Sequence, residues 1–183
     1  MIKTITLVRH GKAAAGWEDA DPPLDATGRV QAEAMTALVG AGPRPLFTSP
    51  LRRTRETAEA IEKAWGVNAS VVPGVGEVAA PTDSLEERVA WIGPFLRGTY
   101  ATAGSDYEKW RDGVLEELRG MPDGAVVVSH FVAINTAIGK AWGDDRVTCH
   151  PVNNCSVTVV EIDDNTDEWR IADLGEAATT FVN

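Results

Sequence analysis

The chain has 183 residues, a formal net charge of -10 and a sequence pI near 4.7. This length is enough for one domain with a substantial core, and we expect residues 1–183 to form a single domain. The acidic charge argues against nucleic acid or an anionic membrane surface as the main partner. No signal-peptide pattern or membrane-length apolar run is visible, and Cys149 and Cys155 do not make a disulfide framework. We therefore predict a cytoplasmic protein.

The first part of the chain alternates between strand and helix patterns, which is typical of a mostly parallel sheet with helices on both faces. The predicted elements here are strands over residues 2–8, 45–48 and 70–72, a helix over residues 27–39, and a helix from residue 49 onward. The second helix has a strong predicted start, because Ser49 is a good N-cap and Pro50 fits the first helical position. On the first helix, four apolar residues share the face that we expect to meet the core: Val30, Ala34, Ala37 and Leu38.

Residues 73–121 interrupt this alternation with two successive helix patterns. Each pattern opens on a predicted capping box, Ser84 with Glu87 and Ser105 with Glu108. We interpret the stretch as a helical excursion over one side of the sheet and over the active-site edge. The other predicted elements are a central strand over residues 125–128, a helix over 132–142 and a hairpin of strands over 156–162 and 169–174. The patterns together predict an α/β fold with three layers, α/β/α, around a mostly parallel sheet.

Basic and imidazole side chains follow three of the predicted strands. Arg9 and His10 end the first strand, Arg53 lies just after the second, and His130 follows the central strand. Open α/β sheets bind ligands at the carboxyl ends of their strands, so we expect these side chains to converge. Guanidinium groups match phosphate oxygens in paired hydrogen bonds and keep their charge. The helices beginning near Pro50 and after His130 are also expected to point amides at an anion, and the pattern predicts a phosphoryl site.

An imidazole in such a site can attack phosphorus. The covalent phosphohistidine divides one difficult displacement into two easier ones. The leaving oxygen then needs a proton, and an acid placed for that purpose contributes on the order of 10²–10⁴-fold in enzymes generally.

Three segments, in their order along the chain, resemble the histidine phosphatase superfamily, which has the phosphoglycerate-mutase-like fold. They are Arg9-His10-Gly11, residues 49–58 (SPLRRTRETA) and Ser129-His130. Residues 23–32 (PLDATGRVQA) also resemble the opening of a helix in this family. These matches span most of the chain, and their joint order and spacing are specific.

The resemblance implies a role for each matched residue. His10 would be the nucleophile, Arg9 and Gly11 of the first motif and Arg53 of the second would bind phosphate, and His130 would be the second histidine. In the second motif the family's phosphate-binding arginine falls on Arg53, and Arg52 occupies a variable position. The proton donor of the family usually follows the third strand, which points to Glu77. Other candidates for the acid are Asp83, Glu86 and Glu87, or a substrate that needs no protein acid.

Some positions depart from the family pattern. Many members continue the first motif with an acid, a hydroxyl residue and later an asparagine, where this chain has Lys12, Ala13 and Gly16. After Glu77 the frequent Gly-x-Trp-Glu-Gly is replaced by residues 78–81 (VAAP). These departures favour a metal-independent phosphatase of phosphomonoesters over a phosphoglycerate-type mutase. A phosphohistidine or protein phosphatase and a non-catalytic phospho-ligand binding module remain alternatives.

Three further side chains are candidates for contact with the substrate beyond its phosphate. Lys12 and Arg52 extend the cationic rim, although such residues are often only solvated, and Trp17 either walls the pocket or packs on its loop. Cys149, His150 and Cys155 fit no familiar zinc spacing, and we expect no metal and no cofactor. The expected partner is a small phosphorylated substrate or a phosphoprotein, and the sequence does not determine the oligomeric state.

Overall fold

A computed structural model describes residues 1–14 and 19–178. Its strands are β1 (Ile2–Arg9), β2 (Leu46–Thr48), β3 (Ser70–Val71), β4 (Val126–Ser129), β5 (Val157–Asp163) and β6 (Glu168–Asp173). Its α-helices are α1 (Ala26–Val39), α2 (Arg52–Trp65), α3 (Leu85–Arg97), α4 (Tyr100–Ala103), α5 (Ser105–Gly120) and α6 (Phe131–Trp142), and a 3-10 turn covers Pro73–Val75. Among these described residues, no helix is both long enough and apolar enough to cross a membrane.

The strands form one six-stranded sheet in the order β3-β2-β4-β1-β5-β6. The pairs β2–β3, β2–β4 and β1–β4 are parallel, whereas β5 runs antiparallel to both β1 and β6. The predicted α/β fold with a mostly parallel sheet is therefore confirmed. The predicted terminal hairpin is also present as β5 and β6, with a bulge between Val159 and Val160.

Helices cover both faces of the sheet, and the central strand β4 shows why. All four of its residues are buried, because alternate side chains enter different cores. Val126 and Val128 lie in a cluster with buried residues of α1 and α2. Val127 lies in a second cluster with residues of α5 and α6, such as Val114 and Ile134. The result is the three-layer arrangement predicted from the sequence.

The parallel strands bring the predicted site residues to one edge. Arg9, the last residue of β1, is in register with Ser129, the last residue of β4, and His10 and His130 follow directly. Thr48, the last residue of β2, is in register with Val128 of β4, so Ser49 lies at the same edge. The excursion between β3 and β4 contains the 3-10 turn and helices α3, α4 and α5.

The predicted core face of α1 is wrong. Val30 and Leu38 are 70% and 68% exposed, and Ala34 and Ala37 are exposed as well. The buried residues of this helix are instead Gly28, Ala32, Met35 and Val39. Two of these four are glycine and alanine, and at Gly28 the helix comes very close to the loop after β1. A search for large apolar residues does not detect such a face.

The predicted helix starts are also partly wrong. Helix α2 begins at Arg52 with Leu51 as N-cap, not at Ser49. Ser84 is the N-cap of α3, but its side chain makes no capping hydrogen bond. Helix α5 begins at Ser105 itself after Gly104, so the second predicted capping box is absent. A capping box is formed instead at α4, between Thr99 and Thr102.

Candidate active site

His10 lies at the centre of the site, buried just beyond the end of β1. Its backbone amide donates to the carbonyl of Ser129, which ties it to the end of β4 at 3.0 Å. Its ring Nδ1 lies 2.7 Å from the carbonyl oxygen of Gly11. A carbonyl oxygen only accepts, so Nδ1 carries the proton and Nε2 of the neutral ring has a free lone pair.

Arg53 donates a hydrogen bond to that lone pair. Its Nε donates to Nε2 of His10 at 3.2 Å, which is consistent with the tautomer set by Gly11. Burial of the ring and the nearby guanidinium of Arg53 lower the pKa of His10 to about 3. His10 is therefore neutral over the ordinary range of pH, as a nucleophile must be.

Arg9 is buried beside this pair with 6% of its surface exposed. Its Nη1 donates to the carbonyl of Val152 at 2.8 Å, and its guanidinium carbon lies 5.0 Å from the centre of the Phe131 ring. Its Nε is buried and has no partner among the described residues. Because a buried donor without a partner is costly, the group is suited to an anion that enters the site.

His130 caps α6 and packs edge-on against His10, with 5.3 Å between the ring centres. Its Nε2 lies 2.8 Å from Oγ of Ser49, whereas its buried Nδ1 has no partner among the described residues. The Ser49 Oγ also accepts from the amide of Leu51. A neutral ring that accepts from the Ser49 hydroxyl at Nε2 carries its proton on Nδ1, from which it can be donated to a ligand.

Glu77 reaches the site from the segment after the 3-10 turn. Its Oε1 accepts from the amide of Val78 at 3.0 Å, and its Oε2 accepts from the amide of Val132 in the first turn of α6 at 3.2 Å. Oγ of Ser129 donates to the carbonyl of Val75 and so fixes the preceding turn to the end of β4. Burial raises the pKa of Glu77 although the two amides and Arg53 and Arg9 oppose it.

The two helix starts that were expected to offer amides to an anion already hold carboxyl groups of this chain. The amide of Val132 on α6 donates to Oε2 of Glu77 at 3.2 Å. The amide of Arg52 on α2 donates to Oδ1 of Asp21 at 2.7 Å. At these two amides, the group that accepts is therefore a carboxyl group from a distant part of the chain.

Gly11 does not point its amide at the site. That amide donates to Oγ1 of Thr57 at 3.0 Å, and its carbonyl receives the ring proton of His10. A Cβ at position 11 would lie 2.6 Å from the carbonyl oxygen of Gly28, so this approach needs glycine. In this structure the amide of Gly11 is therefore bonded to Thr57, and its carbonyl holds His10 in position.

Two of the three predicted rim residues, Lys12 and Arg52, lie next to carboxylates of this chain. Lys12 lies near the site, but its Nζ is 3.8 Å from Oδ2 of Asp25. Arg52 is exposed, and its Nε is 3.4 Å from Oε1 of Glu56 one turn later. Trp17 and Gly16 lie outside the described residues. The alternative acids Asp83, Glu86 and Glu87 are on or beside the start of α3, all mostly exposed.

Several supporting residues could not be assigned from the sequence alone. Thr57 accepts from Gly11 and donates to the carbonyl of Arg53, which explains the threonine of the second motif. Asn154 donates from Nδ2 to the carbonyl of His10 across 144 residues of sequence. Phe131 carries a further contact to Arg9. Only the position of Thr57 in a recognisable motif offered a signal in advance.

No group of three histidine, cysteine or carboxylate side chains suited to hold a metal ion occurs within the described residues. His150 is turned toward the carbonyl of Gly175, with Nε2 at 2.7 Å, and Cys149 has its Sγ near the carbonyl of Arg146. Burial raises the pKa of the Cys155 thiol to about 12. These three residues thus serve packing and loop contacts in this structure.

The fold and the paired histidines and arginines agree with a match along the sequence: the chain belongs to the histidine phosphatase superfamily (branch 1), whose model matches residues 5–176. Among curated proteins it is similar to the probable phosphoglycerate mutase GpmB of Escherichia coli, with 29% identity over 94% of this chain and 92% of that protein.

Solved structures show the same fold. A mycobacterial glucosyl-3-phosphoglycerate phosphatase superimposes with a TM-score of 0.70 at 18% identity, covering 97% of this chain and 100% of that one. The phosphoserine phosphatase of Entamoeba histolytica, solved with 3-phosphoglyceric acid, superimposes with a TM-score of 0.69 at 19% identity, covering 96% and 98%. At these identities the likeness establishes the fold.

Proposed function

We propose that this protein is a phosphomonoester hydrolase that works through a covalent phosphohistidine on His10 without a metal. The observation that carries the proposal is the tautomer of His10. Gly11 accepts the proton of Nδ1, and the lone pair of Nε2 faces Arg53 in a buried site. Arg9, Arg53 and Nδ1 of His130 are the proposed ligands of the phosphate oxygens.

In the first step, Nε2 of His10 attacks phosphorus and the bond from phosphorus to the ester oxygen breaks. The leaving oxygen takes the proton of Glu77, which burial keeps protonated at a higher pH than an ordinary glutamate. Positive charge from the two arginines stabilises the transferring phosphoryl group, which explains why the chemistry needs no metal ion.

In the second step, water attacks phosphorus and the bond from phosphorus to Nε2 breaks, with its electron pair returning to the ring. Glu77, now ionised, takes a proton from the attacking water. Inorganic phosphate leaves, and both His10 and Glu77 return to their starting states. The small phosphorylated substrate, or a phosphoprotein, is the only partner that this proposal needs, and two unpaired thiols support a reducing compartment as its location.

A mutase is the second candidate, because the similar curated proteins carry that name. It would return the phosphoryl group to a bound glycerate, whose carboxylate needs a cation at the rim. Lys12 and Arg52, the two rim cations predicted from the sequence, both face carboxylates of this chain. This pairing favours water as the acceptor.

The test compares wild type with His10→Ala on an aryl phosphate in the presence of a chelator. We expect turnover and an acid-labile phosphoenzyme in the wild type and neither in the variant. His150→Ala is the matched control, since it removes the third histidine of the chain outside the site. It should retain both signals.

Three results would contradict the proposed function. Equal activity in wild type and His10→Ala would refute the nucleophile. Rapid interconversion of phosphoglycerates with slow release of phosphate would identify a mutase. Tight binding of phosphate without phosphoenzyme or turnover on any ester would identify a non-catalytic binding module.

A further inference from the structure

Asp21 holds a negative charge at the start of α2. Its Oδ1 accepts from the amide of Arg52 at 2.7 Å, and its own amide donates to Oδ1 of Asp19 at 2.9 Å. The positive end of a helix dipole stabilises a carboxylate in this position. Asp21 is half-buried, so its charge is fixed by the fold rather than carried on a free side chain.

This charge lies beside the phosphate site. Arg53 is the next residue of α2 after Arg52, and its Nε donates to His10. Burial lowers the pKa of Arg53, whereas the charges of Glu77 and Asp21 raise it. The carboxylate of Asp21 therefore acts on the guanidinium that is proposed to bind phosphate.

The neighbouring cations are paired with other carboxylates, so they do little to offset the negative charge of Asp21. Nζ of Lys12 is 3.8 Å from Oδ2 of Asp25. Glu56 is shared by two arginines, with Nε of Arg52 at 3.4 Å and Nη2 of Arg29 at 3.3 Å. Three cations thus face two carboxylates, and Asp21 supplies a third negative charge, so these groups together offer no net positive charge to a second anionic group on a substrate.

We propose that Asp21 makes this site select phosphomonoesters whose alcohol part carries no negative charge. The inference rests on the proposed hydrolysis and names its substrate class: esters of neutral or cationic alcohols. The phosphate itself is attracted by Arg9 and Arg53. A carboxylate or second phosphate on the alcohol is repelled by the fixed charge of Asp21 at the start of α2.

The test uses glycerol phosphate and phosphoglycerate, which share a three-carbon skeleton and differ in one carboxylate. The ratio of kcat/KM for these two esters is measured in wild type, Asp21→Asn and Glu59→Gln. Asparagine preserves the oxygen that accepts from Arg52, so the variant removes charge without removing the hydrogen bond. Glu59 is an exposed carboxylate on the same helix, and its variant makes an equal change in net charge.

We expect the wild type to favour glycerol phosphate, and Asp21→Asn to narrow the ratio by about fivefold through a lower KM for phosphoglycerate. Glu59→Gln should leave the ratio unchanged. The difference between wild type and Asp21→Asn should shrink in about 0.5 M salt, which a purely structural effect of the substitution would not do.

An unchanged ratio in Asp21→Asn would overturn the inference and leave the hydrolase intact. If neither ester is turned over by the wild type, the proposed hydrolysis of such esters fails, and charge selection is then judged from the binding of the same two esters measured by thermal shift. Equal relative affinity in wild type and Asp21→Asn in that assay would overturn the inference as well.

Discussion

At the scale of single residues, Glu77 is the group whose chemistry is most open to test. Its carboxyl accepts two backbone amides, and burial raises its pKa. Glu77→Gln preserves the shape and one of the two acceptor oxygens, but it has no acidic proton to give to a leaving oxygen. We expect the variant to lose about 10²–10⁴-fold on alkyl phosphates, and much less on aryl phosphates with good leaving groups.

The measurement is kcat/KM across esters of graded leaving-group pKa, with Glu87→Gln as control. Glu87 is an exposed carboxylate on α3 that bonds Thr82. A small and uniform loss across the series for Glu77→Gln would exclude this residue as the acid. The wild type should also lose activity on alkyl esters as pH rises through the raised pKa of Glu77, because the proton donor is then lost.

A second residue-scale prediction concerns Phe131, whose ring packs on Arg9 with 5.0 Å between guanidinium carbon and ring centre. Phe131→Leu keeps an apolar side chain of similar size but removes the aromatic face. We expect affinity for vanadate or phosphate to fall roughly two- to thirtyfold, the range of a partly buried cation–π contact. Calorimetry of vanadate binding measures it.

Phe95→Leu is the control, because Phe95 is also buried in the core cluster that contains Phe131. Both variants should lose similar free energy of unfolding, but only Phe131→Leu should weaken anion binding. Equal affinities in the two variants would show that the ring serves the core alone and does not orient Arg9.

At the scale of elements, the loop after β1 is held against the start of α1. The amide of Lys12 donates to Oε1 of Gln31, and the amide of Asp25 donates to the carbonyl of Lys12. A Cβ at Gly28 would lie only 2.1 Å from that carbonyl oxygen. This contact connects the glycine and glutamine of residues 23–32 to the position of His10.

Gly28→Ala should therefore push the loop away from α1. We expect a loss of about 1–3 kcal/mol in the free energy of unfolding, together with lower kcat on aryl phosphates. Gly113→Ala in α5 is the matched control, since a Cβ there meets nothing within 4 Å. It should stabilise the protein by about 0.5–1 kcal/mol and leave activity unchanged. A Gly28→Ala protein with wild-type stability and activity would contradict the proposed contact.

The elements also show what local sequence patterns can and cannot predict. The strands and most helices lie within about one or two residues of their predicted bounds, because hydrophobic periodicity and Gly or Pro punctuation are local signals. Helix α2 starts at Arg52, later than predicted, and Oγ of Ser49, the expected cap, is shared between the amide of Leu51 and Nε2 of His130, which lies 81 residues away. At α3, the expected partner Glu87 instead bonds Thr82.

The same distinction between local sequence signals and tertiary contacts applies to the candidate site. His10, Arg53 and His130 were predictable because each follows a strand in a recognisable segment. The contacts that orient them were not, because they join distant parts of the chain: Glu77 with Val132, Arg9 with Val152, and Asp21 with Arg52. Their partners are set by tertiary packing, which a local pattern does not contain.

At the scale of the whole molecule, the two buried site histidines give stability a definite pH dependence. Burial and then Arg53 lower the pKa of His10 to about 3, and burial, His10 and the arginines lower the pKa of His130. An unfolded histidine has a pKa near 6.5. Below that value the unfolded chain binds protons that the folded site excludes, so the free energy of unfolding falls as pH falls.

The last prediction follows from this fall in the free energy of unfolding with falling pH. The contribution of His10 is complete above about pH 6.5 and is lost toward pH 3 at about 1.4 kcal/mol per pH unit. Because the raised pKa of Glu77 acts in the opposite direction, the effect is isolated by comparison with His10→Asn, which cannot titrate. From about pH 7.5 to about pH 5, urea unfolding should shift by about 2 kcal/mol in favour of the variant. Parallel profiles for wild type and His10→Asn would mean that folding does not lower the pKa of His10, so that the ring would be largely protonated below about pH 6.5, and this would contradict a nucleophile that the fold keeps neutral.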